Sequence, residues 1–255
     1  MSFQLDSSGV LRLEAWRDVP WLVHGFTTRR SGDFGNGTPD AEIIRRLGAA
    51  GMQLRTVQQI HSNRVCLLSE EGSQNASQRP EADAMLSALA GHVLAVRTAD
   101  CLPILLVDRG RRAVASVHAG WRGTRQGIAA GAVERMRACF GSDRSAIEVA
   151  IGPGIGVCCF EVGPEVAAQF DRSLVVSPRP DAAPPGQSPD KPGPAARPHV
   201  DLVDANRRQL LEQGISTSNI WSAGRCTCCQ ADDFFSYRRD GDPARMLAFI
   251  GVKAA

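Results

Sequence analysis

Apolar residues fall into two kinds of run along this chain of 255 residues. WLVHGFTT, VLAVRTA, LPILLV, AVASVH and IEVAIG are short, rich in branched side chains and read as strands. AEIIRRLGAAG and GIAAGAVERMRACFG repeat their apolar positions three and four residues apart and read as helices. Further on, VDLVDANRRQLLEQG predicts another helix and MLAFIGV a final strand. Between the two groups lies an insertion at about 177 to 198 that holds eight of the fifteen prolines and has no hydrophobic period, so a flexible loop is expected there. The carboxyl-terminal portion beyond the insertion is too small to fold alone. The expectation is one α+β domain over residues 1 to 255.

The most regular part of the pattern is Cys101-LPILLVD-Arg109-Gly110-RRAVASV-His118, a strand, a turn and a strand. A two-residue turn at Arg109 and Gly110 would pair Asp108 with Arg111 and, counting back, set Cys101 directly opposite His118. Opposed side chains share a face with Cβ atoms about 4.5 to 5.5 Å apart, close enough for a thiolate and an imidazole to hold one ion. Leu102, Ile104 and Leu106 with Val117, Ala115 and Ala113 give a wholly apolar second face. The hairpin is therefore expected to bury one side and present Cys101 and His118 on the other.

Composition narrows the picture by exclusion. Hydrophobic residues make up 43% and charged residues 22%, with a net charge of +2, so no global basic footprint argues for nucleic acid or an anionic membrane. The longest apolar runs fall well short of the roughly 18 residues that span a bilayer. Eight cysteines are present, but no charged-then-apolar leader follows Met1, so reduced thiols and a cytoplasmic setting are expected rather than a disulfide framework.

His61, at the end of TVQQI and sharing a face with Gln59, could reach the same cleft and complete a three-donor site. Zinc sites with three His or Cys ligands and one open position are the catalytic type. After His118, AGWRGTRQGI reads as a glycine-rich turn into a helix capped by Thr124, where backbone N–H groups and Arg122 could meet an anion. In DDFFSYRRDG, alternation would put Phe235 and Tyr237 on one face as a stacking surface. The clusters Cys158-Cys159 and Cys226-Thr-Cys228-Cys229 do not match a paired Cys-x-x-Cys pattern and read as free thiols.

Taken together, FTTRRSG, QQIHSNRV, EADAML, TADCLPILLVD, VHAGWRGTRQGI, IGPGIGVCCFEVG, VDLVDANRRQL and RCTCCQADDFFSYRRD closely resemble the laccase-domain (multicopper polyphenol oxidoreductase) family. Some of its members are described as purine nucleoside phosphorylases. The resemblance implies an αββα sandwich with mixed β-sheets and a catalytic zinc on His61, Cys101 and His118, the trio reached from the hairpin. It further implies cleavage of adenosine, inosine, guanosine and methylthioadenosine by phosphate, with adenosine deamination beside it. Arg29, in FTTR, and Arg122 fall in blocks suited to an anion subsite, an inference drawn from their position in the motifs.

The rival readings are a zinc amidase editing peptidoglycan precursors, a copper-dependent phenol oxidase, and a metal-buffering protein with no catalysis. His and Cys ligands accept copper as well as zinc. A single three-donor site cannot by itself build the several copper centres that oxygen reduction to water would need, and a buffer has no use for an anion-binding turn beside its metal.

Overall fold

The computed structural model describes residues 2 to 35, 37 to 70, 79 to 176 and 197 to 254. The first sheet contains β1 (Phe3–Leu5), β2 (Val10–Leu13), β3 (Leu22–Thr27) and β4 (Gln53–Thr56). The second begins with β5 (Val65–Leu67) and β6 (Ala84–Ser87). After β7 (His92–Thr98) returns to the first sheet, β8 (Leu102–Asp108), β9 (Ala113–Ala119) and β10 (Ile147–Ile151) fill the second. A small hairpin of β11 (Val175–Val176) and β12 (His199–Val200) precedes β13 (Ile220–Ser222) and β14 (Met246–Val252). The strand orders are β1-β2-β3-β14-β7-β4 and β13-β10-β8-β9-β6-β5. Both sheets are mixed, with β4–β7, β5–β6 and β10–β13 parallel.

Two stacked sheets with a helical layer outside each make an αββα sandwich. Along β14 the alternation is plain: Met246, Ala248 and Ile250 face the second sheet, while Leu247 and Phe249 face outward. The outward face is covered by helix α1 (Asp40–Arg46), through Ile43 and Leu47. On the far side, Leu102, Ile104, Leu106, Ala115 and Val117 pack against α2 (Ile128–Phe140) and α3 (Leu202–Glu212). Gly141, at φ 65, ends α2 in the left-handed conformation that favours glycine. At the start of α3, Asp201 caps by accepting from Asp204 N at 2.9 Å.

The apolar face expected of the hairpin is there, but its other face is buried as well. Leu105, Val107 and Val114 sit between the sheets, because β8 and β9 are central strands of an inner sheet, and such strands are apolar on both sides. The proline-rich insertion lies outside the described residues from 177 to 196. Its flanks are anchored, since Val176 pairs with His199. Among the described residues no helix is long and apolar enough to cross a membrane.

Candidate functional site

At one end of the sandwich the chain leaves β7 at Thr98 and enters β8 at Leu102, so residues 99 to 101 cross from one sheet to the other. The crossing forces Asp100 to φ 92, a conformation that costs a non-glycine residue about 1 to 3 kcal/mol. Its own carboxylate offsets that cost. Thr227 Oγ1 donates to Oδ1 and Arg238 N to Oδ2, each at 2.7 Å. Cys101 is thereby fixed at the mouth of β8.

The register of the hairpin differs from expectation by two residues. Leu102 pairs with Ala119, Pro103 with His118 and Asp108 with Ala113, so the loop is four residues long. A two-residue turn of the favoured kind would have required positive φ at Arg109, which a β-carbon disfavours. Instead the Asp108 carboxylate accepts from Arg111 N at 3.1 Å, and the left-handed residue is Arg112, at φ 48. A shift of two preserves the faces. Cys101 and His118 remain on one side, but they are diagonal neighbours, and Cys101 falls beside Gly120. A Cβ on Gly120 would lie 3.0 Å from Cys101 Sγ and 3.3 Å from His61 Cδ2, so glycine makes room for both side chains.

His61 does not end a strand. It sits in the loop beyond β4 with φ 58, while Gln59 continues the sheet with its side chain, exchanging 2.8 Å hydrogen bonds with both backbone groups of Arg97. What holds the loop is Asp83, fully buried just before β6. Its carboxylate accepts from the backbone N–H groups of Ile60 (3.3 Å), His61 (3.0 Å) and Ser62 (2.5 Å), and from Ser62 Oγ at 2.7 Å. It also meets His118 Nδ1 at 2.9 Å. Burial alone would raise its pKa, but the bonds from His118 and Ser62 outweigh burial and hold it at about 2. One ionised carboxylate thus orients both histidines. Sequence reasoning missed Asp83, in the EADAML block; the available signal was an acidic side chain at the entry to an apolar strand, which must find partners if buried.

The ligand atoms of His61, Cys101 and His118 all lie within 4.8 Å of one another, and the two imidazoles stand edge to face with centroids 5.0 Å apart. With Nδ1 of His118 engaged by Asp83, Nε2 is the nitrogen left for an ion, the usual way a carboxylate sets a ligating histidine. Burial opposes charge on both Cys101 and His118, yet each favours the other's ionised form, so the thiol is lowered and the imidazole raised. Two imidazoles and a thiolate that ionises readily fit a borderline divalent metal with one position open.

These residues floor a cavity of about 900 Å³ also lined by Trp121, Phe160, Tyr237, Arg79, Arg97, Arg238 and Arg245. Arg238 is anchored through Nη1 to the carbonyls of Cys159 and Glu161, and Arg245 through Nη1 to those of Asp242 and Ala244. Burial, followed by the nearby Arg79, pulls the pKa of Arg97 below the usual arginine range. Neither Arg29 nor Arg122 is among the described residues lining this space. Arg122 is exposed and stacks on Trp121 at 4.5 Å, and Arg29 covers Phe235 at 4.4 Å and reaches Asp240. The segment after Asp233 is not a strand, so alternation fails there. Tyr237, 59% exposed, opens a short helix (Tyr237–Asp240) and reaches the cavity, while Phe235 packs elsewhere. Nor is Thr124 a cap. It lies inside a five-residue helix (Trp121–Arg125) and accepts from Asn206 Nδ2 at 2.9 Å.

Known proteins carry the same architecture and similar sequence. The chain is 38% identical over 200 residues to a Geobacillus stearothermophilus protein named purine nucleoside phosphorylase YlmD, covering 76% of this chain and 70% of that one. It is 37% identical over 210 residues to adenosine deaminase RL5, from an unknown prokaryotic organism, covering 78% and 74%. The crystal structure of YlmD from Geobacillus stearothermophilus superposes with a TM-score of 0.79 at 30% identity, over 99% of each chain. The model of the multi-copper polyphenol oxidoreductase laccase family matches residues 40 to 253, and the chain belongs to that family.

Proposed function

We propose that this protein is a zinc-dependent purine nucleoside phosphorylase acting on adenosine, inosine, guanosine and methylthioadenosine, with accompanying adenosine deaminase activity. The observation that carries the reading is the placement of His61, Cys101 and His118, locked by Asp83, at the floor of a cavity walled by arginines and aromatic rings. The names of the relatives support it: several are called purine nucleoside phosphorylase and one adenosine deaminase.

Phosphorolysis brings together a phosphate, a nucleoside and an electrophile. A guanidinium anchored through one nitrogen presents its remaining N–H groups to an oxyanion, which assigns phosphate to Arg238 and Arg245. Arg79 and Arg97 add positive potential to the same wall. Tyr237, Trp121 and Phe160 offer ring faces to a purine. His61, Cys101 and His118 would hold a zinc ion, which when bound would supply Lewis acidity toward a substrate oxygen or toward water. Asp83, accepting from His118 Nδ1, keeps that ring in one tautomer and orientation throughout.

The test is product analysis on zinc-loaded protein with inosine and adenosine, with and without phosphate. Inosine should yield hypoxanthine and ribose 1-phosphate only when phosphate is present, whereas adenosine should give inosine in its absence. Release of free ribose at the same rate without phosphate would replace phosphorolysis with hydrolysis, and full activity in metal-free protein would remove zinc from the reaction.

A further inference from the structure

The cysteines expected to be free thiols are free, and five of them converge. Cys226 and Cys229 are spaced as a Cys-x-x-Cys pair, and the fold supplies the second pair from a distant segment. Gly154 and Cys226 form a parallel bridge, after which each chain turns. On one side Cys159 N bonds to Gly156 O at 2.9 Å, and on the other Gln230 N bonds to Cys226 O at 3.1 Å. The two turns face one another. Cys229 Sγ lies 3.5 Å from Cys158 Sγ and 3.3 Å from Cys159 Sγ, and the sulfurs of Cys158, Cys159, Cys226 and Cys229 all lie within 4.8 Å of one another.

We propose that Cys158, Cys159, Cys226 and Cys229 form a second metal site, a tetrathiolate zinc centre separate from the cavity. Four sulfurs at a Zn–S bond of about 2.3 Å stand roughly 3.8 Å apart in a tetrahedron, a spacing between the 3.3 Å of Cys159 and Cys229 and the 4.8 Å that bounds the cluster. Four donors close the shell, the arrangement of a structural site. Each thiol that binds releases its proton to solvent as its Zn–S bond forms, and no electrons move.

The surroundings suit that ion in two further ways. Gly156 N donates to Cys226 Sγ at 3.2 Å, and a Cβ on Gly156 would sit 3.1 Å from Cys158 Sγ, so the turn is shaped around the sulfurs. A dianionic tetrathiolate centre also needs nearby positive charge. Arg238 Nη1 donates to Cys159 O, and Arg239 Nη1 donates to the carbonyls of Thr227 (2.8 Å) and Cys228 (2.9 Å), placing two guanidinium groups against the knuckles. Through Thr227, which bonds to Asp100, the centre would stiffen the crossing that carries Cys101.

Zinc per chain in reduced, anaerobically purified full-length protein tests this. Wild type should hold two equivalents, Cys158→Ser/Cys229→Ser one, and His61→Ala/Cys101→Ser one, while Cys139→Ser keeps two. Both exchanged thiols of the first variant are exposed, and far-UV circular dichroism checks that it folds. Cobalt loaded into His61→Ala/Cys101→Ser should show sulfur-to-metal charge transfer of four-thiolate intensity, lost when Cys158 and Cys229 are also replaced. Absence of zinc from His61→Ala/Cys101→Ser overturns the proposal, as do two zincs retained in Cys158→Ser/Cys229→Ser, or uptake of copper(I) but not zinc by the thiols. So does a mass after alkylation showing two of these cysteines already joined as a disulfide.

Discussion

The two donor clusters solve opposite problems. Around His118 the donors are few, and His118 itself is 3% exposed and oriented by a carboxylate that is itself fully buried. At Cys226 and Cys229 the donors are four, two exposed and two half-buried, and positioned by turns and a backbone N–H group, with no carboxylate among the described ligand atoms. Rigidity therefore has a different source in each. A site that leaves a position open for substrate must hold its ligands from behind, because the ion cannot close its own shell; a site with four donors is held together by the ion.

Four experiments press on that contrast, three on binding, from the largest effect to the smallest, and one on stability. Asp83→Asn should weaken metal binding at the three-donor site by about 10- to 100-fold, because the amide can neither match the charge nor accept all five hydrogen bonds. Zinc titration should show the thiol centre untouched, and equal weakening of both sites would erase the distinction. Gly120→Ala should come next, with roughly tenfold weaker binding of the same ion, since its methyl must displace Cys101 Sγ or the His61 ring. Competition with a chelator would read it.

Tyr237→Ala should raise the KM for nucleoside about tenfold, in line with the ~1 to 3 kcal/mol that base stacking on an aromatic ring is worth. At 59% exposure its removal should change unfolding free energy by less than about 0.5 kcal/mol. A fourth effect, on unfolding and so on a scale separate from the three binding effects, concerns pH. The folded pKa of Asp83, about 2, lies below its ordinary value of 3.8. Its contribution is therefore present above pH 3.8 and lost as pH falls toward 2. Denaturant unfolding of metal-free protein should show roughly 2 kcal/mol of loss across that window, and the loss should be missing in Asp83→Asn.

How far the sequence reveals this molecule depends on the range of each cause. Strands such as β8, β9 and β14, and helices α2 and α3, follow from local periodicity and were legible. Which faces Cys101 and His118 occupy was legible too, because parity survives a shift of two. Their true register was not, since it depends on whether Asp108 turns back to Arg111, a choice among loops that two adjacent residues do not decide. Asp83 was hidden for a different reason: it acts on residues about twenty and thirty-five positions away, and nothing near it in the chain shows them. That the free thiols gather in one cluster was not legible, because Cys158 and Cys226 meet only after two distant segments have paired.

Because a single carboxylate gathers the N–H groups of Ile60, His61 and Ser62 together with the ring of His118, the two histidines share one anchor. They respond to it as a pair. A change at Asp83 disturbs both at once, and restoring either histidine's surroundings alone would recover only part of the binding. Damage behind the floor of the cavity should therefore spread to both imidazoles together, so that the site weakens as one unit and not one ligand at a time.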